Sequence, residues 1–159
     1  MQPHDEYSRR LGHDVWANQQ LLDALEREGL TSGAALDLMA HVLTVSGMWL
    51  SRLLGEPLPP GFDPFPRGEM AACRELLESL PARWAAGLAQ LRTEGFAANC
   101  VYRTTEGAEF RSRRADIIEQ VLLHGGHHRG QIALLLRQHG AVPPVTDYIH
   151  YVRSVLGAG

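Results

Sequence analysis

The chain has 159 residues, of which 45% are apolar and 21% charged, with a formal net charge of −3 at pH 7. That length suffices to bury a core as a single domain spanning residues 1–159, and the composition is that of an ordinary globular protein. All the basic residues are Arg and none form a run, which argues against nucleic acid as a partner. The longest uninterrupted apolar runs fall far short of a bilayer span, so no membrane segment is expected, and a polar N-terminus without an apolar h-region predicts no secretory signal and a cytoplasmic address.

A first helix is predicted from about Asp5 to Glu28, where Leu11, Val15, Leu22 and Leu25 recur at helical spacing. Gly29 is placed to end it, and Thr31 or Ser32 to cap a second helix running from Ser32 to Leu54. Leu38, Met39, Val42, Val45, Trp49, Leu50 and Leu53 form its apolar stripe, and Gly55 stops it. The segment from Pro57 to Pro66 is rich in proline and predicts an ordered but irregular crossover. Such a connection suits a bundle in which consecutive helices are not all neighbours.

Helical periodicity resumes at Glu69 and continues through Cys73, Leu77, Leu80, Trp84, Leu88 and Leu91, with Pro81 expected to kink or split the helix. Cys100–Arg103 and Ala108–Arg111 flank Thr104-Thr105-Glu106-Gly107 and read as a short β-hairpin. Ser112 is the expected cap of a fourth helix, whose stripe of Ile117, Val121, His124, His128, Ile132 and Leu135 would place two histidines in line with the core, and Gly140 closes it. A final segment, Thr146 to Leu156, must pack on the bundle or on a partner. Cys73 and Cys100 are distant and lack C-x-x-C spacing, so both read as free thiols, with Cys73 in the core.

The chemistry concentrates in Leu122-Leu123-His124-Gly125-Gly126-His127-His128-Arg129-Gly130-Gln131. His124 and His128 lie one turn apart on one helix face and can converge on an ion, whereas His127 points about 100° away. Helical phase on the second helix offers His41 as a third ligand. Buried imidazoles need partners for both ring nitrogens, and a metal would satisfy three at once; hydrogen-bonded or surface histidines are the alternative. Three neutral imidazoles suit zinc, nickel, iron or copper and leave positions open. Gly125 stands where H-E-x-x-H carries its general base, which disfavours protease chemistry. Asn18 could orient a ligand or be a satisfied core amide, and Arg129 and Gln131 could fix helix packing or support the ligands from behind. His4, His13, His139 and His150 read as structural or solvated. Gly125 and Gly126 each cost a helix about 1 kcal/mol relative to Ala, which close approach of a neighbour would explain.

Taken together, Trp16-Ala17-Asn18, Ala40-His41 followed by Trp49-Leu50, His124-x-x-x-His128-Arg129-Gly130-Gln131 and Pro144-x-Thr146-Asp147-Tyr148 resemble the DinB/YfiT-like superfamily of metalloenzymes, over nearly the whole chain. The resemblance implies an all-α fold, an antiparallel four-helix bundle with a long crossover, which the hairpin before the last long helix would accompany. It also implies a homodimer and a divalent transition metal, zinc or nickel first and iron or manganese next, held by His41, His124 and His128. Related proteins include S-transferases and isomerases that use mycothiol, bacillithiol or glutathione, so the expected function is a stress-related, metal-dependent thiol S-transferase acting on an electrophilic substrate. A metal-dependent hydrolase and a non-catalytic metal-binding dimer are the alternatives. The three tryptophans and the Tyr148–Leu156 tail look surplus to a monomer core, with the first two helices as the first candidates for the dimer contact.

Overall fold

The computed structural model describes residues 3–157, the side chains of 92–94 excepted. Met1, Gln2, Ala158 and Gly159, which the expected single-domain span includes, lie outside the described residues. The elements are α1 (Pro3–Arg27), α2 (Ala34–Leu54), α3 (Met70–Glu94), β1 (Asn99–Arg103), β2 (Glu109–Arg113), α4 (Arg114–Gln138) and α5 (Tyr148–Ser154). The fold is thus all-α in character, four long helices with a small antiparallel hairpin before the last of them.

Helices α1 and α2 each pack against both α3 and α4. Side-chain pairs give the directions. Arg74 meets Asp23 and Glu26 at one end of the α1/α3 pair while Tyr7 meets Phe96 at the other, so these helices run antiparallel. Trp84 donates to Ser46 Oγ at 3.0 Å, and Gly87, one turn on, lies against Leu50, one turn after Ser46, so α2 and α3 run parallel. Only a long connection can return the chain to the start of α2 and allow this.

Gly68 anchors that connection. A Cβ on it would lie 2.5 Å from the backbone of Leu36, and its N–H donates to Asp37 Oδ1 at 2.7 Å, so the crossover is pressed onto the first turn of α2. Neither Thr31 nor Ser32 caps that turn; Gly33 takes the cap position at φ 85°, a left-handed value that a side chain would resist, with no side-chain cap bond. The helix ends agree with expectation at Gly29 and Gly55: Leu30 N–H donates to the Leu25 carbonyl and Glu56 N–H to that of Ser51, satisfying the last turns.

Two further points differ from expectation. Of the two outcomes expected at Pro81, a kink or a split, the split does not occur: α3 is continuous from Met70 to Glu94. Burial of Leu77, Leu80, Trp84 and Leu88 on either side of it, at about 1.5–3 kcal/mol for a fully buried large side chain, outweighs the roughly 3 kcal/mol cost of an interior proline. Ser112 does not cap α4, because β2 extends through it in register with Cys100, and Arg113 precedes the helix instead.

Most of α2 is buried. It is long and apolar enough to cross a membrane by length and composition, with a mean hydropathy of 1.2, but 67% of that window is buried within the bundle. Both cysteines are free and buried: Cys73 lies in the core, and Cys100 Sγ–H donates to the Arg52 carbonyl. The C-terminal segment packs on α1, where His13 Nε2–H donates to the Thr146 carbonyl at 2.8 Å and Trp16 lies against His150 and Tyr151. The tryptophans are therefore accommodated by the chain itself: Trp84 is buried, Trp49 packs on Tyr102, and Trp16 is covered by α5. Among the described residues no exposed large hydrophobic lies on α1 or α2. They lie instead on the crossover, the hairpin, α4 and the C-terminal segment, with Leu123, Leu134, Val145 and Ile149 among them.

Candidate metal centre

Three imidazoles from two helices meet where α2 faces α4. His124 Nε2 lies 3.2 Å from His41 Nε2 and 3.1 Å from His128 Nε2, and the potential ligand atoms of all three lie within 4.8 Å of one another. The i, i+4 spacing places His124 and His128 side by side on α4, and antiparallel packing brings His41 of α2 opposite them.

The outer nitrogens set the tautomers. His41 Nδ1–H donates to the Pro64 carbonyl at 2.6 Å, which leaves its Nε2 lone pair facing inward. His128 Nδ1–H donates to Gln131 Oε1 at 2.6 Å, with the same result. Two inward lone pairs therefore face His124 Nε2, and a single N–H there could satisfy only one of them. A cation accepts all three lone pairs, so the donor set fits a divalent transition metal. His127 is exposed, its ring 5.1 Å from that of His128, and stands outside the set.

Burial, reinforced by the neighbouring imidazoles of His128, His41 and His127, pushes His124 down to about 4 from its usual 6.5. Burial also lowers His128, against the opposing hydrogen bond to Gln131. The sign of the stability effect follows directly. Between pH 6.5 and 4 the unfolded chain binds a proton at His124 that the folded chain does not, so the metal-free protein should lose stability as pH falls through that window and level off below it with respect to this group. Urea midpoints of the metal-free protein measured across the window check this; a midpoint that rises on acidification would contradict it.

Behind the histidines the alignment differs from expectation. The buried line of α4 runs Ile117, Ile118, Val121, Gly125, Arg129, Ile132 and Leu136, and His124 and His128 flank it half-buried rather than lying within it. The reason is a buried charge. Arg129 pairs with Asp14 of α1 and also donates to Asn18 Oδ1 at 3.2 Å, while Asn18 donates to Asp14 Oδ2 at 3.2 Å. Arg129 and Asn18 thus join α1 to α4, and Asn18 is a satisfied core amide on the side of α4 away from α2. A Cβ at Gly125 would lie 2.6 Å from Asp14 Oδ1, which accounts for that glycine, whereas Gly126 has no such crowding. This network fixes the rotation of α4 about its axis and hence the direction of both histidines.

Pro64, Phe65 and Asp14 escaped the sequence reading. The Phe65 ring stacks on His41 at 4.4 Å between centroids and 6° between planes, covering one imidazole face while itself staying exposed. No periodicity marks a proline-rich loop, so nothing pointed to Pro64 or Phe65; an acid one turn before Asn18 on an apolar face was the available signal for Asp14. Gln131 makes the contact expected of a residue supporting a ligand from behind. Gln131→Ala should leave the fold intact and weaken metal binding about 10–100-fold, measured by competition with a chelator.

No curated protein and no solved structure matches the chain significantly. A family model described as the DinB family matches residues 6–155, a span that contains all three histidines, both residues that hold their outer nitrogens, and the buried network behind them. The chain belongs to the DinB family.

Proposed function

We propose that the protein binds one divalent transition metal per chain through His41, His124 and His128 and acts as a metal-dependent thiol S-transferase. The observation that carries this reading is the convergence of three Nε2 atoms in a cluster that, among the described residues, includes no carboxylate. An ion held there supplies Lewis acidity that lowers the pKa of a bound thiol and presents its sulfur as a nucleophile. A hydrolytic site would also need a base to take a proton from water. Gly125 occupies the place where a hydrolytic zinc helix carries that base, and Asp14, the acid beside it, is neutralised by Arg129. Burial holds His124 neutral, and the Pro64 carbonyl and Gln131 hold His41 and His128 with their Nε2 atoms inward. Phe65 excludes water from one face of His41. The resemblance to thiol-dependent S-transferases supports the same reading, with bacillithiol, mycothiol or glutathione as the thiol.

Cobalt-substituted protein tests it. A sulfur-to-metal charge-transfer band should grow on adding one of these thiols to wild type and be absent in His124→Ala. Hydrolysis of esters or amides with no spectral response to any thiol would favour the hydrolase, and tight metal binding with neither response the non-catalytic protein. A homodimer is proposed alongside, supported by the exposed Leu123, Val145 and Ile149 on α4 and the C-terminal segment. Sedimentation equilibrium showing a monomer at micromolar concentrations would reject it.

A further inference from the structure

Arg52, on the last turn of α2, is 8% exposed, yet no described carboxylate lies within ion-pair distance of it. Its guanidinium lies against two adjoining rings, with Cζ 4.6 Å from the Trp49 centroid and 5.4 Å from that of Tyr102. Its Nε–H is buried with no hydrogen-bond partner. None of the nearby acids pairs with it: Glu56, which lines the same cleft, accepts from Ser51 and faces Arg83, Glu109 takes Arg103, and Glu106 lines the adjoining furrow without an ion pair to Arg52. Burying a cation without a counter-charge costs several kcal/mol, and aromatic faces return only about 0.5–2 kcal/mol each. Aromatic faces alone therefore do not compensate the charge, and the side of the guanidinium that lines open space is free to take an anion.

Space for one exists. Arg52 lines a cleft of about 560 Å³ between the crossover and the hairpin, walled by Pro57, Phe62, Tyr102 and Thr105. That size falls within the range of small-molecule sites. Arg52 also lines an adjoining furrow that runs past Met48 and Trp49 to Pro64, whose carbonyl holds His41. Along α2 the separation of Arg52 from His41 is about three helical turns, roughly 16 Å.

We propose that Arg52 is the anchor of an anion subsite that seats the carboxylate of an extended small molecule, whose other end reaches the histidine cluster. The planar guanidinium fork matches a carboxylate, and of the other donors lining the cleft Arg103 is engaged by Glu109 while Thr104 and Thr105 are neutral, which favours a singly charged carboxylate over a phosphate. The subsite assigns an acidic end to the thiol or to the electrophile of the proposed reaction; it rests on that reading for its orientation only.

Side-chain and amide NMR of the full chain tests it with succinate, glutathione, 2-mercaptoethanol and inorganic phosphate as probes. Succinate and glutathione should shift the Arg52 Nε–H and the Thr104 and Thr105 amides, and Arg52→Gln should weaken both about tenfold to a hundredfold. 2-Mercaptoethanol, a thiol without a carboxylate, should leave these signals in place. Succinate binding retained in His124→Ala would support a subsite that stands without the metal. Absence of a succinate response at Arg52 in wild type would overturn the proposal even if cobalt spectra show thiol binding, and so would phosphate binding more tightly than succinate. Should Arg52→Gln fail to fold, the wild-type titration alone decides.

Discussion

Tag-free protein supplied with zinc or nickel is expected to carry close to one ion per chain, and His124→Ala is expected to carry almost none after dialysis. His124 is the hub of the cluster, its Nε2 within 3.2 Å of both partners, so its loss leaves one donor on each helix with nothing between them. Residues that only support ligands typically contribute 10–100-fold in affinity, and removal of a ligand should exceed about a hundredfold. His41→Ala should behave similarly, because it removes the sole contribution of α2. His127→Ala should bind as wild type does, since that ring is exposed and outside the cluster. Elemental analysis with a chelator competition reads wild type and the four single variants His41→Ala, His124→Ala, His127→Ala and His128→Ala. Full retention of metal in His41→Ala would remove His41 from the site, and loss in His127→Ala with retention in His128→Ala would reverse the assignment of the two neighbours.

The second large effect is on stability. Asp14 and Arg129 are 3% and 7% exposed, so truncating either leaves the other as a buried, uncompensated charge. Asp14→Ala or Arg129→Ala should each cost about 3–5 kcal/mol. In a chain of this size that corresponds to a fall in Tm of roughly 6–20 °C. Replacing both together with apolar side chains, as in Asp14→Leu with Arg129→Met, should cost clearly less than the two single changes combined, because no charge is stranded. Gly125→Ala should resemble the single truncations, since its Cβ would displace the carboxylate from the guanidinium. Thermal unfolding of the four variants, each at one fixed metal content, decides the matter. Single variants that melt within a degree or two of wild type would show that this pair does not hold α1 to α4.

These two effects meet in one turn of α4. Gly125 and Arg129 face α1, while His124 and His128, one residue earlier in each case, face α2. A change that rotates α4 to relieve the buried charge also turns the ligands, so Arg129→Ala should weaken metal binding without touching the metal.

Much of the architecture was legible along the chain because it is encoded within a turn or two. Apolar spacing marked the four long helices, Gly29 and Gly55 marked ends that need left-handed backbone, and the turn at Gly107 separated two strands. The i, i+4 pair of His124 and His128 was visible for the same reason, since neighbours on a helix face follow from the helical repeat alone. Tertiary structure decided everything that depends on distant partners. Asp14 with Arg129, separated by 115 residues in sequence, sets the rotation of α4 and moves the histidines to the edge of its buried line. Gly68 pressed on Leu36 brings the Pro64 carbonyl and the Phe65 ring to His41, and the hairpin closes the cleft over Arg52. No period in a sequence records such meetings, because they are fixed by the packing of surfaces that are remote along the chain and adjacent only in the folded protein.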